Sequence, residues 1–566
     1  MKIKLPKHIT GVKFPRICTI EMNDFDIDLF LPSLFFTILA QGRGKARQVN
    51  DPKAISLFID ILAQHPILEG FNDTEGRKVL ERFVRTTLIT TGGVGRSRID
   101  EQITSVVPFT ILAHKTGFPT KGRQRNTDTF IYQVLRERMG AEDALRDFVK
   151  TVFGNGVIIG NIPELGGKYD GETNVDTLTR LSIAFLDGFQ NTRPGISREK
   201  NVPSPCPALA KEFATDLLRY LFEYHKTMPT QAFTHHLLIL INFELFNYTL
   251  KLVHSVNELV QTPEHLPTAM RESFETSPPQ LYVDFTASSS EYSQEMARAC
   301  VRRDVETYQQ FLESNLLLRQ LDLYVEKLKR NARSKLLIER VLPPTNSGAE
   351  YLQGLLQLRK DPVISRDIAA SARNDEDEIR RLNTNEGEEE DPEALSWFDD
   401  IVDTAEDDVE RVVSLLVEAQ RGEAIQHFIR WYWGVGGMKK PQGILRGVVT
   451  NRKSWRYAPT NDVLAVLVQL AAVRLGKPTN PEQGESIQSF RLQEFLLFLE
   501  ERFGILVDRP PVPFEGAEYT AAARENLRAM LRRLRQMGIF RDLSDDFTVQ
   551  RLHPPYAGKE MTGVRR

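Results

Sequence analysis

Two neighbouring stretches, Leu492–Phe503 (LQEFLLFLEERF) and Thr520–Met537 (TAAARENLRAMLRRLRQM), decide how the chain is read. In the first, Leu492, Phe495, Leu496, Leu499 and Phe503 recur three or four apart and share one helical stripe. Gly504 follows as a C′ glycine would, because only glycine enters the left-handed region without steric cost. In the second, Leu527, Leu531 and Leu534 form the apolar stripe and Gly538 ends it. Arg524, Arg528, Arg532 and Arg535 share the opposite, solvent-facing side. Upstream, the spacing predicts a helix capped by Asn461 and running to about Leu475. Downstream, the 539–543 and 547–552 segments flank Ser544-Asp545-Asp546 as a β-hairpin flanks its turn. Three helices and then a hairpin is the order of a winged helix, so a C-terminal winged-helix-like domain is expected. Its third helix is the one such folds place in a major groove.

Working outward, Trp431–Arg456 holds three of the four tryptophans and six basic residues without one acid. Lys439, Lys440, Arg446, Arg452, Lys453 and Arg456 suit a phosphate backbone, with Trp431 and Trp433 as platforms for stacked bases. The competing reading ends a helix over 412–433 with both tryptophans in a core. Just upstream, Ser371–Glu410 carries 17 acidic residues against three basic ones. That density has the composition of a disordered linker. It also suggests a mask, in which 375–408 folds over the basic surface and Trp397-Phe398 docks there.

The first 25 residues alternate enough for a short strand or two. Phe30–Leu39, Ala54–Ala63, Arg77–Ile89 and Thr129–Met139 then carry helical spacing. Basic, glycine-bearing loops join them: Gly42–Arg47, Gly92–Arg98 and Lys121–Arg125. None fits GxxxxGK[ST], so turns are expected there and not a phosphate cradle. Long helical sections follow over 208–260 and 293–342. The fold class is mainly α and multidomain, divided as 1–195, 208–370, the acidic linker 371–410, and 411–566.

The 566 residues carry a net charge of -3, with 41% hydrophobic and 26% charged residues, an ordinary globular balance. Any anionic partner must therefore be met by a local patch. Cys18, Cys206 and Cys300 are far apart and form no CxxC pair, so neither a disulfide framework nor a thiolate metal site is expected. The apolar runs Leu29–Ala40 and Leu237–Phe243 fall short of the roughly 20 residues a bilayer requires. The start, MKIKLPKHITGVKFPR, has no signal-peptide h-region. A cytoplasmic protein without a membrane partner is expected.

His235 and His236 are adjacent and diverge on a helix, and there is no HExxH. No metal, cofactor or catalytic residue is assigned. The runner-up reading is a metal-dependent nuclease or nucleotide hydrolase using the N-terminal or central domain, for which Asp284, on a strand-like segment before a serine cluster, is a candidate. A capping or turn role is its alternative.

Leu281-Tyr-Val-Asp-Phe-Thr286, Ala299-Cys-Val-Arg-Arg-Asp304 and the ending from Arg533 to Asp546 together resemble large accessory proteins of bacterial phage-defence islands, components of methylation-associated defence systems. The resemblance implies a multi-gene setting with a DNA methyltransferase, separate ATPase or nuclease subunits, and phage DNA as the object. The leading reading is a non-catalytic DNA-binding or scaffolding subunit of an antiviral complex. A pure protein-assembly subunit is a further alternative.

Overall fold

The computed structural model describes residues 3–45, 55–93, 101–116, 124–140, 143–162, 165–189, 193–198, 202–287, 289–343, 348–384, 392–476, 486–541 and 550–558. Among them helices dominate and the strands only form two-stranded pairs, so the chain is mainly α. The N-terminal part contains α1 (Phe30–Leu39), α2 (Ile55–Ala63), α3 (Thr74–Phe83), α4 (Thr127–Met139), α5 (Ala144–Phe153) and α6 (Thr177–Asp187). Between them lie β1 (Arg43–Lys45), β2 (Ile89–Gly93), β3 (Glu101–Val106), β4 (Val157–Ile159), β5 (Gly167–Tyr169) and β6 (Pro194–Arg198). They pair antiparallel as β1–β6, β2–β3 and β4–β5. Loop residues 46–47, 94–98 and 121–123 of the basic stretches lie outside the described residues. Of the short strand or two expected in the first 25 residues, none forms among the described residues. Instead Ile3–Met22 is an irregular segment whose Ile3, Ile9, Phe14, Ile17 and Ile20 are buried against the helices.

The centre is built by α7 (Pro207–Thr227), α8 (Thr230–Gln261), β7 (Leu281–Tyr282) and α9 (Glu291–Leu328). Ser290 starts α9, its side chain accepting from the Ser293 amide. Helix α8 is apolar on nearly every side, and 89% of its most apolar window is buried. Length and composition alone would let it cross a membrane, but here it packs against α7 and α9, which is how an all-round apolar helix serves a core.

Next come α10 (Ala332–Val341), α11 (Gly348–Lys360), α12 (Ile364–Thr384), α13 (Pro392–Val402) and α14 (Asp408–Val435). The acidic block is therefore largely helical and not a linker, with 385–391 outside the described residues. Ile364, Ile368, Ala372 and Ile379 form a buried stripe along α12, which packs on α9, α11 and α14. Its acids meet arginines close by. Glu376 joins Arg380 and Arg411, each at 2.9 Å, and Arg359 holds Asp407 at 2.6 Å and Glu410. Phe398 is fully buried among α12 and α14 neighbours. No ion pair joins this block to Lys439, Arg452, Lys453 or the arginine face at 524–532 among the described residues. Among the described residues the block is a helical layer whose buried and half-buried acids pair with nearby arginines, and no contact of the expected mask is formed.

The C-terminal part runs through β8 (Leu445–Val448), β9 (Asn451–Tyr457), α15 (Asn461–Leu475), β10 (Phe490–Arg491), α16 (Leu492–Phe503), β11 (Ile505–Leu506), α17 (Ala517–Gln536) and β12 (Arg551–Leu552). The cap of α15 is Thr460, not Asn461: its Oγ1 accepts from the Val463 amide at 3.1 Å. Gly504 ends α16 at φ +75°, and β11 then pairs parallel with β7. Helix α15 packs on both α7 and α8, so this part shares its core with the centre. Strand β10 pairs antiparallel with β12, and Phe540 bridges Leu552. The Ser544–Asp546 turn lies outside the described residues.

Candidate nucleic-acid interface

Helix α17 sets the site. Ala522, Ala523, Leu527, Met530, Leu531 and Leu534 are buried, while Arg524, Arg528, Arg532 and Arg535 are exposed on the far side. What fixes this rotation is Asn526, fully buried on the packed face. Its Oδ1 accepts from the Phe285 amide at 2.6 Å, and its Nδ2 donates to Val283 O at 2.8 Å and Val507 O at 3.0 Å. One side chain thus satisfies backbone groups from two segments that would otherwise be buried unpaired. Arg524, Arg528 and Arg532 have no ion-pair partner among the described residues. Arg535 lies over the Phe540 ring, 5.3 Å from its centroid.

The β8–β9 hairpin stands beside this helix. Arg533, on the packed side of α17, donates to Pro459 O at 3.2 Å and to Phe285 O at 3.1 Å. Burial lowers its pKa, and nearby Arg446 lowers it further, against the opposing pull of Asp284. The hairpin's base is fixed from below. Tyr457 donates to buried Asp304 at 2.5 Å and shares a 2.7 Å hydrogen bond with Tyr432. Asp304 also takes His254 Nε2 at 3.0 Å and Arg303 Nε at 2.8 Å. Burial would raise this carboxyl's pKa, but Arg303 and His254 more than offset it, so it stays below the usual carboxylate range. Gly447 adopts φ +143° where a Cβ would approach Ser454 O to 2.9 Å, which lets the strands close there.

Across the hairpin Arg446 stands directly opposite Arg456, a like-charge pair that is unfavourable without a counter-ion. Asp284 supplies it, with Oδ2 3.5 Å from Arg456 Nε. The other oxygen of Asp284 is taken by Thr286 N at 3.0 Å, Thr286 Oγ1 at 2.6 Å and Ser293 Oγ at 2.8 Å. Fully buried and so bonded, Asp284 has the turn-capping role and is not placed to hold a nuclease metal.

The other sequence-derived residues divide. Arg452 and Lys453 are exposed at the hairpin tip, and Lys439 is exposed in a left-handed turn at φ +64°. Arg446 and Arg456 are half-buried at the hairpin's centre. Lys440 does not offer free charge: its Nζ binds Asp26 at 3.1 Å and Asp28 at 3.0 Å. Burial would lower its pKa, but those two carboxylates raise it overall. Trp431 is fully buried, its indole N–H given to Thr249 Oγ1 at 3.1 Å and its ring against Phe25. No ring face is left for a base, so the stacking expectation is corrected to the core alternative. Trp433 is half-buried against the same core. Asn526 and Arg533 were missed. Both lie on the packed side of α17 by helical spacing, and a polar residue within an apolar stripe was the available signal.

No curated protein and no solved structure matches the chain. Residues 7–556 match one family, so nearly the whole architecture described above falls within it. The chain belongs to the family described as methylation-associated defense system protein MAD7.

Proposed function

We propose that this defence-system protein is a non-catalytic subunit that holds a nucleic-acid backbone on the exposed face of α17, flanked by the β8–β9 hairpin. The observation that carries the reading is the row Arg524, Arg528 and Arg532, exposed and without ion-pair partners among the described residues. Guanidinium groups spaced along one helix face follow phosphates, and their binding releases condensed counterions. Arg452 and Lys453 at the hairpin tip and Lys439 beside it extend the same sign of charge. The segment 461–552 is read as winged-helix-like: α15, α16 and α17 as its helices, β10 as its first strand, and the segments meeting at Phe540 and Leu552 as its wing. In that reading α17 is the groove-facing helix.

The test uses the full chain, because α15 packs into the core formed with α7 and α8. Binding to a labelled DNA duplex at low salt is compared between wild type and an R524A/R528A/R532A variant. A loss of at least tenfold in affinity in the variant supports the reading. A smaller loss is expected for R452A/K453A at the hairpin tip. Absence of duplex binding by the wild type, or equal affinity in the triple variant, overturns it and leaves the face to an acidic protein partner of the same defence system.

A further inference from the structure

We propose that His8, Asp375 and Glu378 form a site for one divalent transition-metal ion of the zinc class, clamping the N-terminal segment to α12. Each residue offers one ligand atom, and the three atoms lie within 4.8 Å of one another. Asp375 and Glu378 stand three apart on α12 and so share a face, while His8 arrives from the irregular N-terminal segment.

The site is built and not incidental. Asp375 is only 7% exposed, and its Oδ2 is fixed by Gln320 Nε2 at 2.8 Å and Tyr324 OH at 3.0 Å. That leaves Oδ1 turned towards His8, whose Nε2 lies 3.1 Å away. Such outer hydrogen bonds are what orient a metal-binding carboxylate. The His8 backbone is held in turn. Arg319 donates to His8 O at 3.4 Å and to Ile9 O at 3.3 Å, and Asn383 exchanges hydrogen bonds with Lys4 N and O at 2.8 and 2.9 Å.

One observation goes beyond a His–Asp ion pair. Among the described residues Glu378 is exposed and makes no hydrogen bond or ion pair, yet stands close to a second carboxylate. A dication balances both acids and takes the imidazole in its neutral form.

The ligand set also selects the ion. Bonds of about 2.0–2.2 Å place the donor atoms around zinc roughly 3–3.5 Å apart, the separation His8 and Asp375 already have. Glu378, which makes no other bond among the described residues, closes the remaining distance. One imidazole with two carboxylates suits zinc and its first-row neighbours, whereas calcium and magnesium favour all-oxygen sets.

The test titrates the chelator-treated full chain with Co2+, reading its visible d–d bands, and then displaces it with Zn2+. One saturable equivalent is expected, with affinity at least tenfold weaker in His8→Ala and in Glu378→Ala. Tyr324→Phe, which leaves the three ligands in place, is expected to weaken binding by a smaller factor. Zn2+ should raise the thermal midpoint of wild type but not of His8→Ala. Both ligand substitutions fall on exposed side chains, so these variants are expected to fold. No saturable equivalent in wild type, or unchanged affinity in both alanine variants, overturns the proposal.

Discussion

Arg502 at the end of α16 and Arg528 in the middle of α17 put the same side chain to opposite uses. Arg502 is buried, with Nε donating to Asp216 Oδ2 at 2.7 Å and Nη2 to Glu244 Oε2 at 3.0 Å. Arg474 adds a second cation to Asp216 at 3.2 Å, and Lys251 Nζ reaches Arg502 O at 3.3 Å. The charges of this cluster are spent joining α16 to α7 and α8. Arg528 and its neighbours one turn away on each side are exposed and make no ion pair among the described residues. A buried, paired arginine belongs to the scaffold. An exposed row of unpaired ones makes little difference to folding and leaves its field for something outside the chain.

The acidic helices lie on the scaffold side of that contrast. Their carboxylates close on Arg359, Arg380 and Arg411 within the same layer, so charge density along the sequence does not by itself mark a binding surface. What distinguishes α17 is that Arg524, Arg528 and Arg532 are exposed and make no ion pair among the described residues.

The largest effect expected is from Arg502→Met, which leaves Asp216 buried and short of its main partner. Breaking a buried pair by removing one member costs about 3–5 kcal/mol, to be read from urea unfolding. Unchanged stability would mean the cluster is no scaffold. Next, Glu376→Gln removes an ion held by two arginines at 6% exposure and should cost about 1–3 kcal/mol without altering duplex binding.

Glu376 also has a pH signature. Burial would raise its pKa, but Arg411 and Arg380 bring it below the usual value. Its contribution is therefore present above the unfolded-state pKa and lost as pH falls through the folded-state one. In Glu376→Gln that acid-side loss should shrink.

Lys251 gives a slope of the same sign in the alkaline range. Burial first, and then Arg502, pull its pKa down to about 7, with Glu244 opposing. Between that value and its ordinary 10.5 the unfolded chain binds the extra proton, so stability should rise with pH by up to ~1.4 kcal/mol per pH unit. Lys251→Met should flatten this part of the profile, and an unchanged slope would assign it to other groups. Smallest of all, Arg524→Ala, Arg528→Ala and Arg532→Ala should each shift stability by no more than about 0.5 kcal/mol.

Much of α16 and α17 was legible because their stripes are local. Leucine and phenylalanine at three- and four-residue spacing set the faces, and Gly504 and Gly538 set the ends. The acidic block misled because its buried stripe of Ile364, Ile368, Ala372 and Ile379 is diluted by the charges between them. Local composition also could not show that those charges find arginines brought alongside by folding. Trp431 was ambiguous because its partner, Thr249, is remote in sequence. Long-range partners likewise hid Asn526, which bonds to 283–285 and 507, and the His8–Asp375 contact between the N-terminal segment and α12.

The measurement that bears most directly on the arginine face is the salt dependence of duplex binding by the full chain, with and without the R524A/R528A/R532A substitutions. Each phosphate contact contributes a slope of about 0.9 in log affinity against log salt. Wild type should therefore bind with a steep slope, and the triple variant should lose about 2–3 of it while unfolding at nearly the same urea concentration. A slope that is the same in both proteins, or a wild type with no salt-sensitive binding, would contradict the account.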